Sequence, residues 1–144
     1  MGLDRIFGVT NICSSGLSAE RARMEVVAQN IANAHTTRTP QGGPYRRQQI
    51  VFSALLEQQR GRGRTPAMGG VQVVNVIDDP SELPRIHQPG HPDADADGFV
   101  TMPNVQIPME MVDLMTANRA YEANLKVLQA FKQQAEQTLS ILRG

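Results

Sequence analysis

The sequence is poor in the residue types that usually anchor a small core. It has no Trp, two Tyr and four Phe among 144 residues. A chain of this length can still bury roughly 70% of its unfolded surface in one domain, but aliphatic residues and seven Met must supply the packing. The single Cys13 excludes an internal disulfide and a thiolate zinc site. It falls within an apolar stripe, so we expect a small buried thiol there.

The sequence also lacks net charge and long apolar runs. Fourteen basic side chains balance fourteen acidic ones, so nucleic acid is not an expected partner, because it attracts a surplus of Lys and Arg. No run of about 18 apolar residues occurs, so no direct membrane insertion is expected. Asp4 and Arg5 interrupt the first apolar residues, unlike in a Sec signal. Any export is therefore expected to proceed without a cleaved signal peptide.

Two terminal segments carry apolar residues at alternating spacings of three and four, which is typical of helices that pair along one stripe. The N-terminal stripe comprises Leu3, Ile6, Thr10, Cys13, Leu17, Glu20, Met24, Val27, Ile31 and Ala34. The C-terminal stripe comprises Met111, Leu114, Asn118, Tyr121, Leu125, Leu128, Lys132, Ala135, Leu139 and Leu142. Propensity predicts a firm first helix from about Ser18 after a softer start, and Pro108 suits the first turn of the second helix.

The segment between the stripes is rich in Pro and Gly and contains short β-like runs. These runs are Tyr45–Ser53, Val71–Ile77 and Phe99–Val105. The Arg-Gly repeat from Arg60 to Arg64 predicts a mobile loop, because it has no side chain to bury. The sequence therefore predicts a small, irregular β-rich insertion.

These patterns predict an α+β fold. Long antiparallel N- and C-terminal helices form a coiled-coil-like hairpin, and the β-rich insertion lies between them. The expected division is a helical core at residues 1–36 and 106–144 with an insertion at 37–105. The expected helix contact places Met24, Val27 and Ile31 against Met111, Leu114 and Tyr121.

The segment around Asp93 resembles part of a calcium loop. Asp93, Asp95, Asp97 and Gly98 occupy positions one, three, five and six, but Asn104 stands where a bidentate Glu is required. A solvated acidic turn is the favoured interpretation. Nucleophile motifs, phosphate-binding Gly-rich loops and paired carboxylates on a buried element are missing from the sequence. We therefore expect no enzymatic activity, no cofactor and no metal.

The neutral total hides two blocks of opposite charge. Residues 35–64 carry six Arg against one Glu, a net charge of +5, and residues 65–107 carry six acidic residues against one Arg, a net charge of −5. Two interpretations stay open. The blocks attract each other within one molecule, or the basic block of one subunit meets the acidic block of its neighbour. The residues proposed for the second case are Arg46, Arg47, Asp93 and Asp95.

The asparagines near the helix ends carry specific predictions. Asn33 closes the first helix and is expected to act as a C-cap. Asn118 lies on the C-terminal stripe, where an Asn can fix the register of paired helices as it does in coiled coils. Asn124 is assigned to the surface.

Four segments together resemble a known family. NIANAHTT (Asn30–Thr37) and ANRAYEANLKVL (Ala117–Leu128) resemble the terminal signatures of the axial proteins of the bacterial flagellum. GGPYRRQQIVF (Gly42–Phe52) and PGHPDADADGFVTMPNV (Pro89–Val105) are similar to segments of the short proximal rod proteins of the basal body. The family-motif residues are Asn30, Asn33, Thr36, Asn118, Tyr121 and Asn124.

The resemblance implies a structural, non-enzymatic rod subunit that polymerises in the periplasmic space and transmits torque from motor to hook. Its implied partners are itself, other flagellar rod proteins, and export-gate and MS-ring adaptor proteins, in a hetero-oligomeric helical assembly reached by type III export. The assembly residues are expected to be Leu17, Met24, Val27, Ile31, Met111, Leu114, Tyr121, Leu125, Leu128 and Leu139. Two rivals stay open: a monomeric helical-hairpin adaptor, folded along its whole length when alone, and a calcium-regulated module, which calcium titration would reveal.

Overall fold

A computed structural model describes residues 3–57 and 67–143 of the chain. In chain order the elements are α1 (Leu3–Ala32), β1 (Gln48–Glu57), β2 (Ala67–Asp78), β3 (Arg85–His87), β4 (Phe99–Thr101) and α2 (Ile107–Arg143). The predicted loop at Arg60–Arg64 lies outside the described residues. The predicted α+β class, with two long terminal helices and a small sheet insertion, is confirmed.

The chain divides into two compact units. Unit 1 comprises Met1–Ala22, Phe52–Val74 and Ala117–Gly144, and unit 2 comprises Arg23–Val51 and Asn75–Thr116. Each unit contains part of both helices and part of β1 and β2. Within the described residues, neither helix is long and apolar enough to cross a membrane.

The β insertion consists of two small sheets of two strands each. β1 and β2 are joined by residues 58–66 only, so they pair antiparallel, because a parallel pair needs a longer crossover. β3 and β4 pair antiparallel with Ile86 opposite Val100. The sequence did not predict β3, which has only three residues, and the predicted third run is too long. β4 ends at Thr101, shortly before Pro103, which has no N–H for a ladder.

In unit 1, α1 contacts both β2 and α2. Ser15 Oγ donates to Ile12 O at 2.8 Å and accepts from the Val71 backbone N–H at 3.1 Å. Gly70 has φ +117°, and a Cβ there would lie 2.2 Å from Ser15 Oγ, so both its backbone conformation and its surroundings require glycine. These contacts support the weakly helix-forming stretch around Ser15 within α1, which begins at Leu3.

The predicted stripe of α1 is buried, together with a second row beside it. Cys13, Val27 and Ala34 from the predicted stripe are buried, and Leu17, Met24 and Ile31 are half-buried. The additional buried residues are Ala19, Val26 and Asn30. A helix with two adjacent buried rows packs against more than one neighbour, and through Asn30 α1 contacts both β1 and α2.

α2 buries a row that is only partly the predicted one. The observed buried or half-buried row comprises Glu110, Leu114, Ala117, Tyr121, Asn124, Leu128, Phe131 and Ala135. The predicted stripe is wrong at alternate positions, since the exposed residues include Met111, Asn118, Leu125, Lys132 and Leu139. The predicted packing of α1 against Met111 is therefore wrong. Ala117 is fully buried, and its small side chain permits a close approach that bulkier residues prevent.

Candidate functional site

The most completely buried polar side chains lie in unit 2, near the end of α1 and the start of α2. Asn30 is 1% exposed. Its Nδ2 donates to Gln48 O at 2.9 Å and to Glu110 Oε2 at 3.0 Å, and its Oδ1 accepts from Gln48 N at 2.8 Å and Tyr45 Oη at 2.9 Å. These four bonds use both donors and both acceptor sites of the amide. Asn30 thereby joins α1 to β1 and α2.

Glu110 supplies a buried negative charge in the first turn of α2. The residue is 0% exposed, and Arg47 Nε donates to its Oε1 at 2.5 Å. The Arg47 guanidinium also lies 3.6 Å from Asp79 Oδ2 and 3.4 Å from Asp113 Oδ2. A buried carboxylate without such partners would be strongly destabilising. We call Asn30, Tyr45, Arg47 and Glu110 the polar network.

The electrostatics keep Arg47 charged and Tyr45 neutral. Burial alone would lower the pKa of Arg47, but its hydrogen bond to Glu110 and the charges of Glu110, Asp113 and Asp79 raise that pKa above its usual value. Burial, helped by the charges of Asp78 and Glu110, raises the pKa of Tyr45. The neutral phenol therefore donates to Asn30 at neutral pH.

Backbone hydrogen bonds attach the polar network to neighbouring loops. The Arg47 N–H donates to Asn104 Oδ1 at 2.7 Å, and the Asp79 N–H donates to Arg47 O at 2.7 Å. Asn104 Nδ2 in turn donates to Ser81 Oγ at 2.8 Å. The network thus fixes the segment before β1 and the segment after β2 at the start of α2.

The roles of the other asparagines in the structure differ in part from the predicted roles. Asn33 Nδ2 donates to Gln29 O at 2.9 Å at the end of α1, but Asn33 does not have the positive φ of a left-handed C-cap, so its capping role stays a prediction. Asn118 is exposed and donates to Glu122 Oε1 at 3.1 Å, so the prediction that it fixes helix register is wrong within the chain. Asn124 is half-buried in unit 1, and a Cβ at Gly16 would lie 3.0 Å from its Nδ2.

The acidic turn between β3 and β4 is organised by its own hydrogen bonds. Asp95 Oδ1 accepts from the N–H groups of Phe99 at 2.8 Å and Asp97 at 3.0 Å, and Arg85 pairs with its other oxygen. The bond from Phe99, with help from Arg85 and Asp97, lowers the pKa of Asp95. No group of three metal-ligating side chains is placed to hold a metal within residues 3–57 and 67–143.

The four residues proposed for charge contacts between subunits all have partners within the chain. Arg46 Nη1 donates to the backbone carbonyls of Asp79 and Ser81 at 3.3 Å. Arg47 belongs to the polar network, Asp93 accepts from Thr37 Oγ1 at 2.8 Å, and Asp95 pairs with Arg85. Attraction within one molecule is therefore present, and the contact between subunits stays a prediction.

Glu110 and Arg47 are packed inside the chain, although the apolar pattern of the sequence did not predict this. Stepping by three and four from Met111 gave the highest apolar count, so Glu110 fell outside the stripe. Stepping from Glu110 passes through the row that is actually buried, in which six of eight residues are apolar. The available signal was the small Ala117 on that row, because small residues mark close helix approaches.

The outer side of α2 carries three of the exposed apolar residues of unit 2. Met111, Val112 and Met115 are 54%, 59% and 57% exposed. At 100° per residue they lie on the side of α2 opposite Glu110 and Ala117. We call Met111, Val112 and Met115 the methionine surface.

Comparisons with known proteins identify the class of protein to which this arrangement belongs. Residues 11–38 match the family model "Flagella basal body rod protein". Residues 96–141 match the model "Flagellar basal body rod FlgEFG protein C-terminal". Both terminal helices therefore carry the signatures of flagellar rod proteins, and the resemblance inferred from the sequence is confirmed.

Curated relatives narrow the class to one family. The chain is 41% identical to the "Flagellar basal-body rod protein FlgC" of Borreliella burgdorferi, over 96% of this chain and 99% of that protein. The same protein of Yersinia enterocolitica is 41% identical over 94% of this chain and 97% of its own length. That of Bacillus subtilis is 38% identical with the same coverage. The chain belongs to the FlgC family of flagellar basal-body rod proteins, which are structural proteins.

Proposed function

We propose that the chain polymerises through its terminal helices into the periplasmic part of the flagellar rod, the drive shaft that transmits torque from motor to hook. It assembles there with other rod proteins, and export-gate and MS-ring adaptor proteins are its further partners. It reaches this location through the flagellar export apparatus without a cleaved signal peptide. Membership of the FlgC family supports the proposal.

The observation that carries polymerisation is the methionine surface. The inner side of α2 already packs within the chain, whereas Met111, Val112 and Met115 expose more than half of their surface. Fully burying one such side chain contributes about 1.5–3 kcal/mol, so a neighbour that covered all three would gain substantial affinity. A surface of this kind is typical of proteins that function in assemblies.

The proposed assembly divides its residues into two groups. The helical core at residues 1–36 and 106–144 supplies the contacts of the rod, and the insertion at 37–105 supplies additional surface. Residues that are buried or half-buried within the chain hold the two helices together. In this group are Leu17, Met24, Val27, Ile31, Leu114, Tyr121 and Leu128. Met111, Leu125 and Leu139 are exposed and contact neighbouring subunits.

Charge is proposed to act together with the helices. Arg46 and Arg47 of one subunit and Asp93 and Asp95 of the next set the direction of assembly, in addition to their partners within the chain. Arg46→Glu tests this contribution better than a reversal of Arg47, because Arg47 is required by the polar network. Slower assembly of Arg46→Glu would support the proposal. Assembly at the wild-type rate would show that Arg46 does not set the direction of assembly.

Removal of the gene from its motile host tests the function itself. Cells without the gene should lack complete flagella, and the chain supplied from a plasmid should restore swimming. Basal bodies purified from the complemented cells should contain the chain. Normal swimming of the deletion strain, or basal bodies that lack the chain, would contradict the proposed function.

A pair of neighbouring substitutions tests the role of the helix pair. Leu128 is half-buried on the inner row of α2, whereas Gln129 is exposed. Leu128→Asp should abolish incorporation, because a carboxylate without a partner in a desolvated contact is costly by several kcal/mol. Gln129→Asp introduces the same charge on the same helix and should incorporate normally. Equal incorporation of the two variants would show that the inner row is not needed for assembly.

A further inference from the structure

The first turn of α2 buries a charged residue and exposes the apolar residues beside it. Glu110 is 0% exposed, whereas its sequence neighbours Met109 and Met111 are 61% and 54% exposed. At 100° per residue, the two methionines lie on opposite sides of Glu110 around the helix axis. A rotation of this part of α2 in either direction would therefore bury a methionine in place of a carboxylate.

Apolar burial alone does not select the observed orientation of this turn. Transfer of a methionine side chain from water to a protein interior is favourable, whereas transfer of a charged carboxylate is costly. The hydrophobic effect on Met109, Glu110 and Met111 therefore favours a rotated helix. Another interaction must hold the carboxylate inside.

The two carboxylate oxygens of Glu110 bond to two different parts of unit 2. Oε1 accepts from Arg47 Nε at 2.5 Å in the segment before β1, and Oε2 accepts from Asn30 Nδ2 at 3.0 Å in α1. Hydrogen bonds depend on direction as well as distance, so a rotation of α2 would break both together. Asp113 is less constrained, because it is half-buried and its contacts with Arg47 and Arg23 are longer, at 3.4 and 3.6 Å.

We propose that Glu110 is a positioning residue that sets the rotation of the start of α2 about its own axis. Its pairing with Arg47 and Asn30 selects one orientation over those that apolar burial prefers, as a single buried polar residue selects the register of a coiled coil. Glu110 thereby keeps Met109 and the methionine surface on the outside. This orientation is a property of the single chain, so it does not depend on the proposed polymerisation.

Methionine oxidation of the dilute, purified full-length chain measures this rotation. Hydrogen peroxide converts exposed methionine to the sulfoxide, and tandem mass spectrometry gives the rate at each position. Rotation in either direction buries one of Met109 and Met111 and leaves the other exposed, so the ratio of their two rates is the readout. Met24, which is half-buried in α1, reports unfolding, because loss of structure exposes it as well.

Joint replacement of Arg47 and Glu110 by alanine should have the larger effect. Arg47→Ala with Glu110→Ala removes both charges, so neither charge is left buried without the other, and the vacated space can receive a neighbouring methionine. The ratio of the Met109 and Met111 rates should change about threefold or more as the rotated population grows, while Met24 stays protected relative to the chain in urea. Wild-type rates at both methionines with Met24 still protected would overturn the inference.

An isosteric pair of variants tests the same residue with less risk to folding. Glu110→Gln turns one carboxylate oxygen into a donor that opposes an N–H of Arg47 or Asn30, so the ratio should shift about twofold. Asp113→Asn also exchanges a carboxylate for an amide, three residues further along α2, and should leave the ratio at its wild-type value. Equal ratios in the two variants would overturn the inference, even where the alanine variant unfolds.

The wild-type chain supplies a further check. Its Met24 should be oxidised several times more slowly than in urea. A wild-type rate equal to the rate in urea would overturn the inference, because the start of α2 would then have no fixed orientation in the free chain. A rise of all rates in Glu110→Gln, Met24 included, would also overturn it, because Glu110 would then act on general stability and not on orientation.

Discussion

The start of α2, from Ile107 to Met115, and its middle, from Arg119 to Leu128, differ in the side chains that they bury. In the first turns the buried side carries the charged Glu110 and the exposed side carries the methionine surface. Further along, the inner side carries apolar residues such as Tyr121 and Leu128, and the outer side carries Arg119 and Lys126. A soluble monomer needs only the second arrangement. The pattern at the start of α2 is the one that the proposed contacts with neighbouring subunits would explain.

The two units also resist disruption by different means. In unit 2, Asn30, Arg47 and Glu110 satisfy one another's hydrogen bonds, so the arrangement tolerates few alternatives. In unit 1, the contacts depend on small residues at Gly16, Gly70 and Ala117, which allow backbones and side chains to approach. The most destabilising substitutions in unit 2 should therefore be those that remove a hydrogen-bonding partner. In unit 1 they should be those that add side-chain volume.

The largest effect is expected from Glu110→Ala. It leaves the Asn30 amide and the Arg47 guanidinium without their shared partner, and removal of one member of a buried charged pair costs about 3–5 kcal/mol. Hydrogen exchange at the Gln48 and Asp79 amides should accelerate, because both amides are attached to the network. Glu122→Ala on the same helix is the control and should change little. Unchanged exchange in Glu110→Ala would contradict the importance of the network.

Gly70→Ala is the corresponding test of unit 1. The new Cβ would lie 2.2 Å from Ser15 Oγ, and φ of +117° is unfavourable for alanine, so a loss of about 1–3 kcal/mol is expected. Exchange at the Val71 amide reports it, because this amide donates to Ser15. Gly42→Ala has a positive φ but no atom within 4 Å of the new Cβ, and it therefore isolates the backbone contribution. Equal losses would show that the clash is relieved.

Arg47→Lys should have an intermediate effect in unit 2. Lysine keeps the charge but loses the planar fork that reaches Glu110, Asp79 and Asp113 together, at a cost of about 1–2 kcal/mol. Arg46→Lys is the matched control, because Arg46 is exposed and bonds only to backbone carbonyls at 3.3 Å. Urea unfolding monitored by hydrogen exchange should give a lower midpoint for Arg47→Lys than for Arg46→Lys. Identical midpoints would indicate that charge alone suffices.

Substitution of the two glycines within α1 should give a smaller difference in stability. A Cβ at Gly8 would have no neighbour within 4 Å, whereas one at Gly16 would lie 3.0 Å from the Asn124 side chain. Gly8→Ala should therefore stabilise the helix by about 0.5–1 kcal/mol. Gly16→Ala should gain less, because Asn124 must move. Thermal unfolding monitored by circular dichroism measures both, and equal gains would show that the Gly16 contact is loose.

The pH dependence should be the weakest effect and should appear only at the extremes. Hydrogen bonds from Ser81, with help from Gln49 and the charge of Arg47, lower the pKa of Asp79 below 3.8, so its contribution is lost as pH falls below about 4. Burial raises the pKa of Tyr45 above 10.0, so stability is lost as pH rises beyond about 10. Urea midpoints across this range should form a plateau. Tyr45→Phe should reduce the loss of stability at high pH. An unchanged loss would show that other groups cause it.

The sequence was sufficient to predict the fold class and the α1 stripe, because apolar spacing depends on chain geometry alone. It failed at Glu110, since the burial of a carboxylate depends on Asn30 and Arg47, which lie 80 and 63 residues away along the chain. It failed at Asn118 for a related reason. Apolar counting cannot distinguish two adjacent rows of one helix when the small Ala117 decides which row packs.

Cys13 makes the folding of unit 1 directly observable without any substitution. It is 7% exposed and is the only thiol of the chain, and a thiol reagent reaches such a group only when the surrounding structure opens locally. The alkylation rate of the unmodified protein therefore reports how often the first half of α1 separates from its neighbours. A rate that falls as the protein concentration rises would mean that association itself closes this helix.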